Sequence, residues 1–162
     1  DFGWNDVGYH QGKVSSANPN GEPTTNAIVE TPTLDLLASQ GVKLESYYVQ
    51  PLCSPSRGSL MNGKFPCTTG FGPDVHGASH GPSSPFGLPA KDILIPQMLG
   101  KLGYSSHMVG KWHLGHCDAR YTPTGRGFKS WTGYLTGAEG YNVPSIVGDA
   151  NMSGSTKIHM NG

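Results

Sequence analysis

Two stretches of this chain carry both the start and the stop of a helix, and segments with strand character lie around them. In residues 31–41, Thr31 can cap, Pro32 suits the first turn and Gly41 suits the position past the last turn. Leu34, Leu37 and Ala38 share one face of that helix, which predicts packing against a core. The pattern recurs in residues 54–63, with Ser54 as cap, Pro55 at the first position and Gly63 beyond the end. Between them, residues 42–49 alternate apolar with polar and include Tyr47-Tyr48-Val49, a strand signal. Residues 1–9 read as a strand end running into a loop. Residues 91–102 read as a helix disturbed by Pro96. Residues 105–109 read as a buried strand that ends in Gly110-Lys111-Trp112-His113. Strands alternating with helices predict an α/β fold with a mostly parallel sheet. Sites in such sheets form at the carboxyl ends of strands. Asp1, Cys53 and the Lys111–His113 segment all follow predicted strands, so they are expected to converge.

Composition narrows the function classes. The 162 residues include 24 glycines and 13 prolines, close to twice the average share, with no collagen-like period. The surplus predicts many turns and long ordered loops. Residues 13–26 form a polar surface loop on this reading. Residues 70–89, rich in Gly, Ser, Pro and His, form a loop long enough to serve a site. Eleven Lys and Arg balance eleven Asp and Glu, and charged residues are 14% of the chain. That balance argues against a basic nucleic-acid binder and against a charge-rich disordered chain. No apolar run approaches the ~20 residues of a membrane helix. Three cysteines are too few for a small disulfide scaffold. A loop-rich globular enzyme is what remains. With Asp1 first and no Met, the chain is expected to be a piece of a longer protein.

The segment with the sharpest chemistry is Pro51-Leu52-Cys53-Ser54-Pro55-Ser56-Arg57-Gly58-Ser59-Leu60-Met61-Asn62-Gly63. Cys53 sits at a helix entrance, where free N–H groups and the helix dipole favour an anion. Arg57 follows one turn later on the same face and can hydrogen-bond whatever group position 53 carries. A buried cysteine beside an ordinary Ser-Pro helix start is the bland alternative. A thiolate phosphatase is another, but its loop spaces Cys and Arg by five residues where this chain has three.

The thirteen-residue string resembles the signature of the sulfatase family, in which the cysteine of Cys-x-Pro-x-Arg is oxidised in the secretory pathway to formylglycine. Asn62 stands where that family usually has Thr, Ala or Arg. Residues 103–113, Gly-Tyr-Ser-Ser-His-Met-Val-Gly-Lys-Trp-His, resemble the family's second signature. Asp1-Phe2-Gly3-Trp4-Asn5-Asp6-Val7-Gly8 is similar to the Asp-Asp-x-Gly-Trp segment that ends the family's first strand, with Asp1 matching the second Asp. The resemblance covers residues 1–70 and 88–141, most strongly to the arylsulfatase B-like group of N-acetylgalactosamine-4-sulfatases. That group often has Arg-Arg-Gly-Phe-Asp where this chain has Gly125-Arg126-Gly127-Phe128-Lys129.

The resemblance implies an alkaline-phosphatase-like α/β/α sandwich with a mostly parallel central sheet, incomplete in a chain that is the N-terminal part of a catalytic domain. It implies hydrolysis of aryl or carbohydrate sulfate esters, an aryl sulfate in the test tube and a sulfated sugar such as a glycosaminoglycan in the organism. Cys53 would become formylglycine, through the formylglycine-generating enzyme, and its hydrate would be the nucleophile. Asp1 and the hydrated side chain at position 53 would be among the ligands of one Ca²⁺. Arg57 would hold the hydrate, Lys111 would bind the sulfate and the hydrate, and His113 would act as base in the elimination step. The implied setting is the secretory pathway, lysosomal or extracellular, with no nucleic-acid partner and no membrane span. The family's leaving-group His, later sulfate-binding Lys and Asp-Asn metal ligands have no counterpart in these residues. Two rival readings stay open: a catalytically inactive sulfatase-like binding protein, and a metal-dependent phosphatase of the same fold. The second predicts Ser or Thr as nucleophile, which Cys53 with Pro55 and Arg57 opposes.

The remaining polar residues carry less. His76, His80 and His116 read as solvated loop residues, with lining the mouth of the site as the alternative, His107 as a satisfied core residue, and His10 and His159 give no signal. Cys67 and Cys117 have a disulfide open to them in an oxidising compartment. Asn151-Met152-Ser153 is an N-glycosylation sequon. Tyr134 and Glu139 either approach substrate or pack.

Overall fold

Proline inside the first turn and glycine past the last set the ends of the helices that matter here. Helix α1 is Pro32–Gln40, with Thr31 before it and Gly41 after it. Helix α2 is Cys53–Asn62 and stops at Gly63, whose φ of 70° is a conformation glycine adopts without steric cost. A short helix α3, Pro66–Thr69, follows. Helix α4 is Ile95–Lys101, and strands β1 (His107–Val109), β2 (Ser130–Gly133) and β3 (Ile158–Asn161) complete the regular structure. The computed structural model describes residues 3–11, 30–71, 83–138 and 158–161. The chain divides into two compact units, Asp1–Tyr48 and Val49–Gly162.

In the first unit, two single turns of 3₁₀-helix, Trp4–Asp6 and Gly8–His10, are joined to α1 by side chains. The Thr31 hydroxyl does not cap its own helix. It accepts the Gly8 N–H at 2.7 Å and donates to the Asp35 carboxylate at 2.9 Å. Asp35 also accepts the Tyr9 N–H at 3.0 Å. The expected core face of α1 is not buried: Leu34 and Leu37 are exposed, Leu37 by 60%. An apolar stripe needs a partner surface, and the described residues of this unit do not cover it. Residues 42–49 are likewise not a strand. Their alternation suits a sheet, but a strand exists only where a neighbour takes its N–H and C=O groups. Among the described residues none pairs with them. Residues 13–26 lie outside the described residues.

The second unit holds a three-stranded sheet in the order β1-β2-β3. β1 pairs parallel with β2, His107 opposite Ser130, and β2 pairs antiparallel with β3, Ser130 opposite Asn161. Beside it the core gathers Phe71, Leu88, Leu94, Trp112, Leu114, Phe128 and Trp131. Trp112 meets Phe128 edge-on, with centroids 6.2 Å apart. Residues 91–94 stay outside α4, and Pro96 stands in its first turn. The ring there removes only an N–H that has no partner in the helix, so Pro96 begins the helix instead of disturbing it. His107 is exposed and shares a 2.7 Å hydrogen bond with the Ser130 hydroxyl, so it is not a core residue. A three-residue strand at the sheet surface leaves its outward side chains in water.

Arg126 is a charged side chain that the core accepts whole, at 2% exposure. Its guanidinium donates to the carbonyls of Leu88, Pro89 and Asp92 at 2.7–3.2 Å, which ties the loop before α4 to the turn before β2. Burial pushes its pKa down, and Asp92 opposes the shift. Substituting Arg126→Met should leave three carbonyls without donors and lower stability by about 3 kcal/mol. Urea unfolding of the full-length protein measures this. A midpoint equal to that of the parent protein would show that water replaces the guanidinium without cost.

Candidate active site

Helix α2 presents its first residue, Cys53, to the segment that follows β1. The buried face of α2 is Ser54, Pro55 and Gly58. A side chain at Gly58 would meet the Leu88 methyl at 3.3 Å, so glycine lets the helix lie close on the core. Cys53 is the first helical residue, so Leu52 and not Ser54 is the cap. Leu52 holds a φ of 68°. That region costs a branched side chain roughly 1 kcal/mol or more. Ser56 helps hold the turn, donating its hydroxyl toward the Gln50 and Leu52 carbonyls.

The Ser54 hydroxyl is instead a tether. It donates to the His113 carbonyl at 3.0 Å in a buried setting. Arg57 donates one guanidinium nitrogen to the Lys111 carbonyl at 2.7 Å. These two bonds clamp the start of α2 to residues 111–113. On the far side that segment is held by Trp112 N–H to Tyr134 O at 3.0 Å and His113 N–H to Leu135 O at 3.1 Å. The Trp112 indole donates to the carbonyls of Gly115 and Tyr121.

The clamp brings three cationic or nucleophilic groups together. The Lys111 side chain lies within electrostatic reach of Cys53 and Arg57. Burial pushes the Lys111 ammonium below the usual lysine range. The Cys53 sulfur pulls it back up, the Arg57 charge pushes it further down, and the net shift is downward. His113 is only 3% exposed, and its φ of 58° is the other positive value, with Leu52, outside glycine among the described residues. Its ring lies against Gly137, where an added Cβ would stand 3.0 Å from Cε1. Both strained residues thus flank the same cluster. Such strain persists only where surrounding contacts over-determine it, and it gathers at functional sites.

Cys53, Arg57 and Lys111 therefore stand together, and the His113 backbone is tied to Ser54 beside them. Asp1, Glu139, Asn151, His76 and His80 lie outside the described residues. Tyr134 is half-buried and contributes its carbonyl to Trp112, and His116 is half-buried. Cys67 and Cys117 are exposed and unpaired. Sequence reasoning missed the tethering role of Ser54, which it took for a cap, and the hydrogen bond from Arg57 to the Lys111 carbonyl. Only contacts 54 to 59 residues apart in sequence reveal these roles.

The cluster suits an anion. The Arg57 Nε is buried and has no hydrogen-bond partner among the described residues. A buried donor in that state calls for an acceptor, and a hydrated aldehyde at position 53 or a sulfate oxygen supplies one. The fit to a divalent cation is different. Among the described residues no group of three or more His, Cys, Asp and Glu side chains stands together. The charged groups around Cys53 named above are cations. These residues alone do not make a hard-cation site, which wants several oxygen ligands. No helix among the described residues is long and apolar enough to cross a membrane.

The family model described as Sulfatase matches residues 1–159. The chain belongs to the sulfatase family. Among curated relatives, arylsulfatase J of Mus musculus is 43% identical over 141 residues, covering 87% of this chain and 20% of that protein. N-acetylgalactosamine-6-sulfatase of Mus musculus is 39% identical over 137 residues, covering 82% of this chain and 24% of that protein. Among solved structures, Ps i-CgsB in complex with k-i-k-neocarrahexaose superposes with a TM-score of 0.67 at 30% identity, covering 87% of this chain and 27% of the other. The fold is accordingly part of the sulfatase α/β architecture. The chain spans about a quarter of the length of these relatives.

Proposed function

We propose that the protein containing this chain hydrolyses sulfate esters of aryl compounds or sugars, with Cys53 converted to formylglycine. The observation that carries the reading is the clamp that sets Cys53 at a helix start beside Lys111 and Arg57. The sulfatase match and the named relatives support the reaction class. The hydrated aldehyde supplies a hydroxyl that attacks sulfur and expels the alcohol, and a second hydroxyl whose deprotonation re-forms the aldehyde and releases sulfate, covalent catalysis with its own exit.

The chain's own residues have defined tasks on this reading. The free Nε of Arg57 holds an oxygen at position 53 or on the substrate. Lys111 sits where its charge offsets that of the sulfate, and its position against Cys53 orients the ester for attack. His113, buried and pinned against Gly137, is the base in the elimination step. The Ser54 tether fixes the distance between nucleophile and base segments. A divalent cation, Ca²⁺ by resemblance, would need Asp1 and further carboxylates that the described residues do not supply, and no step here is routed through it. A saccharide complex in a solved relative supports a sugar substrate. Maturation by the formylglycine-generating enzyme in the secretory pathway, with a lysosomal or extracellular destination, belongs to the same reading.

Mass spectrometry of the tryptic peptide 44–57, taken from full-length protein made in secretory cells, tests the central step. Exchange of sulfur for oxygen with loss of two hydrogens lowers its mass by about 18 Da. Detection of that peptide is the expected result. Unmodified Cys53, in cells that convert a control sulfatase, would favour an inactive sulfatase-like binding protein.

A further inference from the structure

Residues 134–138, just after β2, hold His113 by its backbone and by its ring. The Trp112 and His113 N–H groups donate to the carbonyls of Tyr134 and Leu135, and Leu135 packs against the core. The Thr136 hydroxyl donates to the Ala138 carbonyl at 3.2 Å, across Gly137. The backbone of Gly137 is not left-handed, so it does not demand glycine. Gly63 is the opposite case: its φ favours glycine, and an added Cβ would meet nothing within 4 Å. At Gly137 the three atoms nearest an added Cβ all belong to the His113 ring. They are Cε1 at 3.0 Å, Nε2 at 3.1 Å and Nδ1 at 3.7 Å. Space, and not backbone conformation, accounts for glycine at 137, and the imidazole takes that space.

The main chain of His113 is fixed on both sides, its N–H by Leu135 and its carbonyl by the Ser54 hydroxyl. The freedom left to this buried residue is the direction of its ring. Carbon atoms not bonded to each other rest at about 3.5–4.0 Å. A methyl group at 137 would therefore displace the ring by a few tenths of an ångström. We propose that Gly137 is a positioning residue that seats the His113 imidazole for the elimination step. The assignment rests on His113 being the base at position 53. In that step the base takes the proton of the remaining hydroxyl. The freed O–H electron pair becomes the second C–O bond of the aldehyde, and the bond from that carbon to the sulfate oxygen breaks. Alcohol release comes earlier and does not use this base, so a displaced ring slows only the second half of the cycle.

Stopped-flow hydrolysis of an aryl sulfate by the full-length protein tests it. Gly137→Ala should release a first equivalent of alcohol at the parental rate and then turn over about tenfold more slowly, the scale of a small misplacement. The size of the first burst counts folded, converted enzyme, so misfolding does not imitate the effect. In a His113→Ala background no ring remains to be displaced, and Gly137→Ala should add no further loss. A general disturbance of the turn would add the same factor in both backgrounds. Ala138→Ser, an exposed change in the same turn, should keep both phases. NMR of protein labelled at histidine Cε1 gives a reading that needs no turnover: the His113 signal should move in Gly137→Ala and stay in Ala138→Ser. Parental turnover in Gly137→Ala, equal slowing of both phases, an equal further loss in the His113→Ala background, or an unmoved Cε1 signal would each overturn the proposal. A parent protein that releases no alcohol would instead sink the reading at Cys53, and the Cε1 signal would then still decide whether Gly137 seats the ring.

Discussion

Cys53→Ala should abolish aryl sulfate hydrolysis by the full-length protein, a fall of at least about 10³-fold in kcat, the scale seen when a nucleophile is removed. The expected loss is chemical. Cys53 is half-buried at the surface of α2, and its truncation opens no core cavity, so the thermal midpoint should move little. Cys53→Ser sharpens the test. Serine supplies one hydroxyl in place of two, so its sulfate ester has no built-in exit and must await water. A single turnover of alcohol release followed by arrest is the expected course, measured with a chromogenic aryl sulfate under enzyme excess. Full turnover in Cys53→Ala would sink the mechanism, because no other nucleophile has been placed beside Lys111 and Arg57.

The second large effect is expected far from any reacting atom. Gly133 closes β2 and is buried against the chain reversal after β1. A Cβ there would overlap the Gly110 carbonyl oxygen and stand 2.7 Å from its carbonyl carbon. The same carbonyl accepts the Trp131 indole N–H at 3.0 Å, and the Gly110 N–H donates to Thr132 O at 2.9 Å. Neither partner is a flexible side-chain end, so the backbone must move. The residue next in line is Lys111, whose carbonyl receives Arg57 and whose ammonium lies beside Cys53. Gly133→Ala should therefore cost about 3 kcal/mol of stability, at the upper end of overpacking effects. It should also lower kcat/KM at least about tenfold, because small misplacements of catalytic groups are costly. Lys129→Ala, an exposed change in the same neighbourhood, should do neither. Denaturant melts and aryl sulfate kinetics on both variants decide it. A Gly133→Ala protein with parental stability and rate would show that the 110–111 backbone is not held as tightly as its hydrogen bonds imply.

Much of the candidate site was legible before any fold was known. Cys53, Pro55 and Arg57 are neighbours on one helix, so their spacing already dictates that Arg57 lies one turn behind the cysteine. The Gly110–His113 segment could be read as a strand exit, and β1 does end at Val109. Helix ends were legible for a related reason. Gly41 and Gly63 stand where α1 and α2 stop, because left-handed or open backbone past a helix depends mainly on the residue itself.

The errors fall where a property depends on a distant partner. Thr31 and Ser54 were read as caps because both are good caps locally. The structure gives their hydroxyls to Asp35 and to the His113 carbonyl. Residues 42–49 have a strand's alternation and no strand's pairing, and α1 has an apolar stripe with nothing described against it. His107 was assigned to the core on the strength of a buried strand that proved short and exposed.

By itself, then, the sequence determined the family, the placing of Cys53 and Arg57 one turn apart on one helix, and the places where helices end. Each rests on neighbours within a turn or two, where covalent connection sets the geometry. The tertiary structure alone decided that Lys111 meets Cys53, that Ser54 ties the two segments together, and that Arg126 is buried under three carbonyls. Those facts depend on burial and on hydrogen-bond partners tens of residues away. A linear pattern holds no record of which donor will find which acceptor once water is excluded.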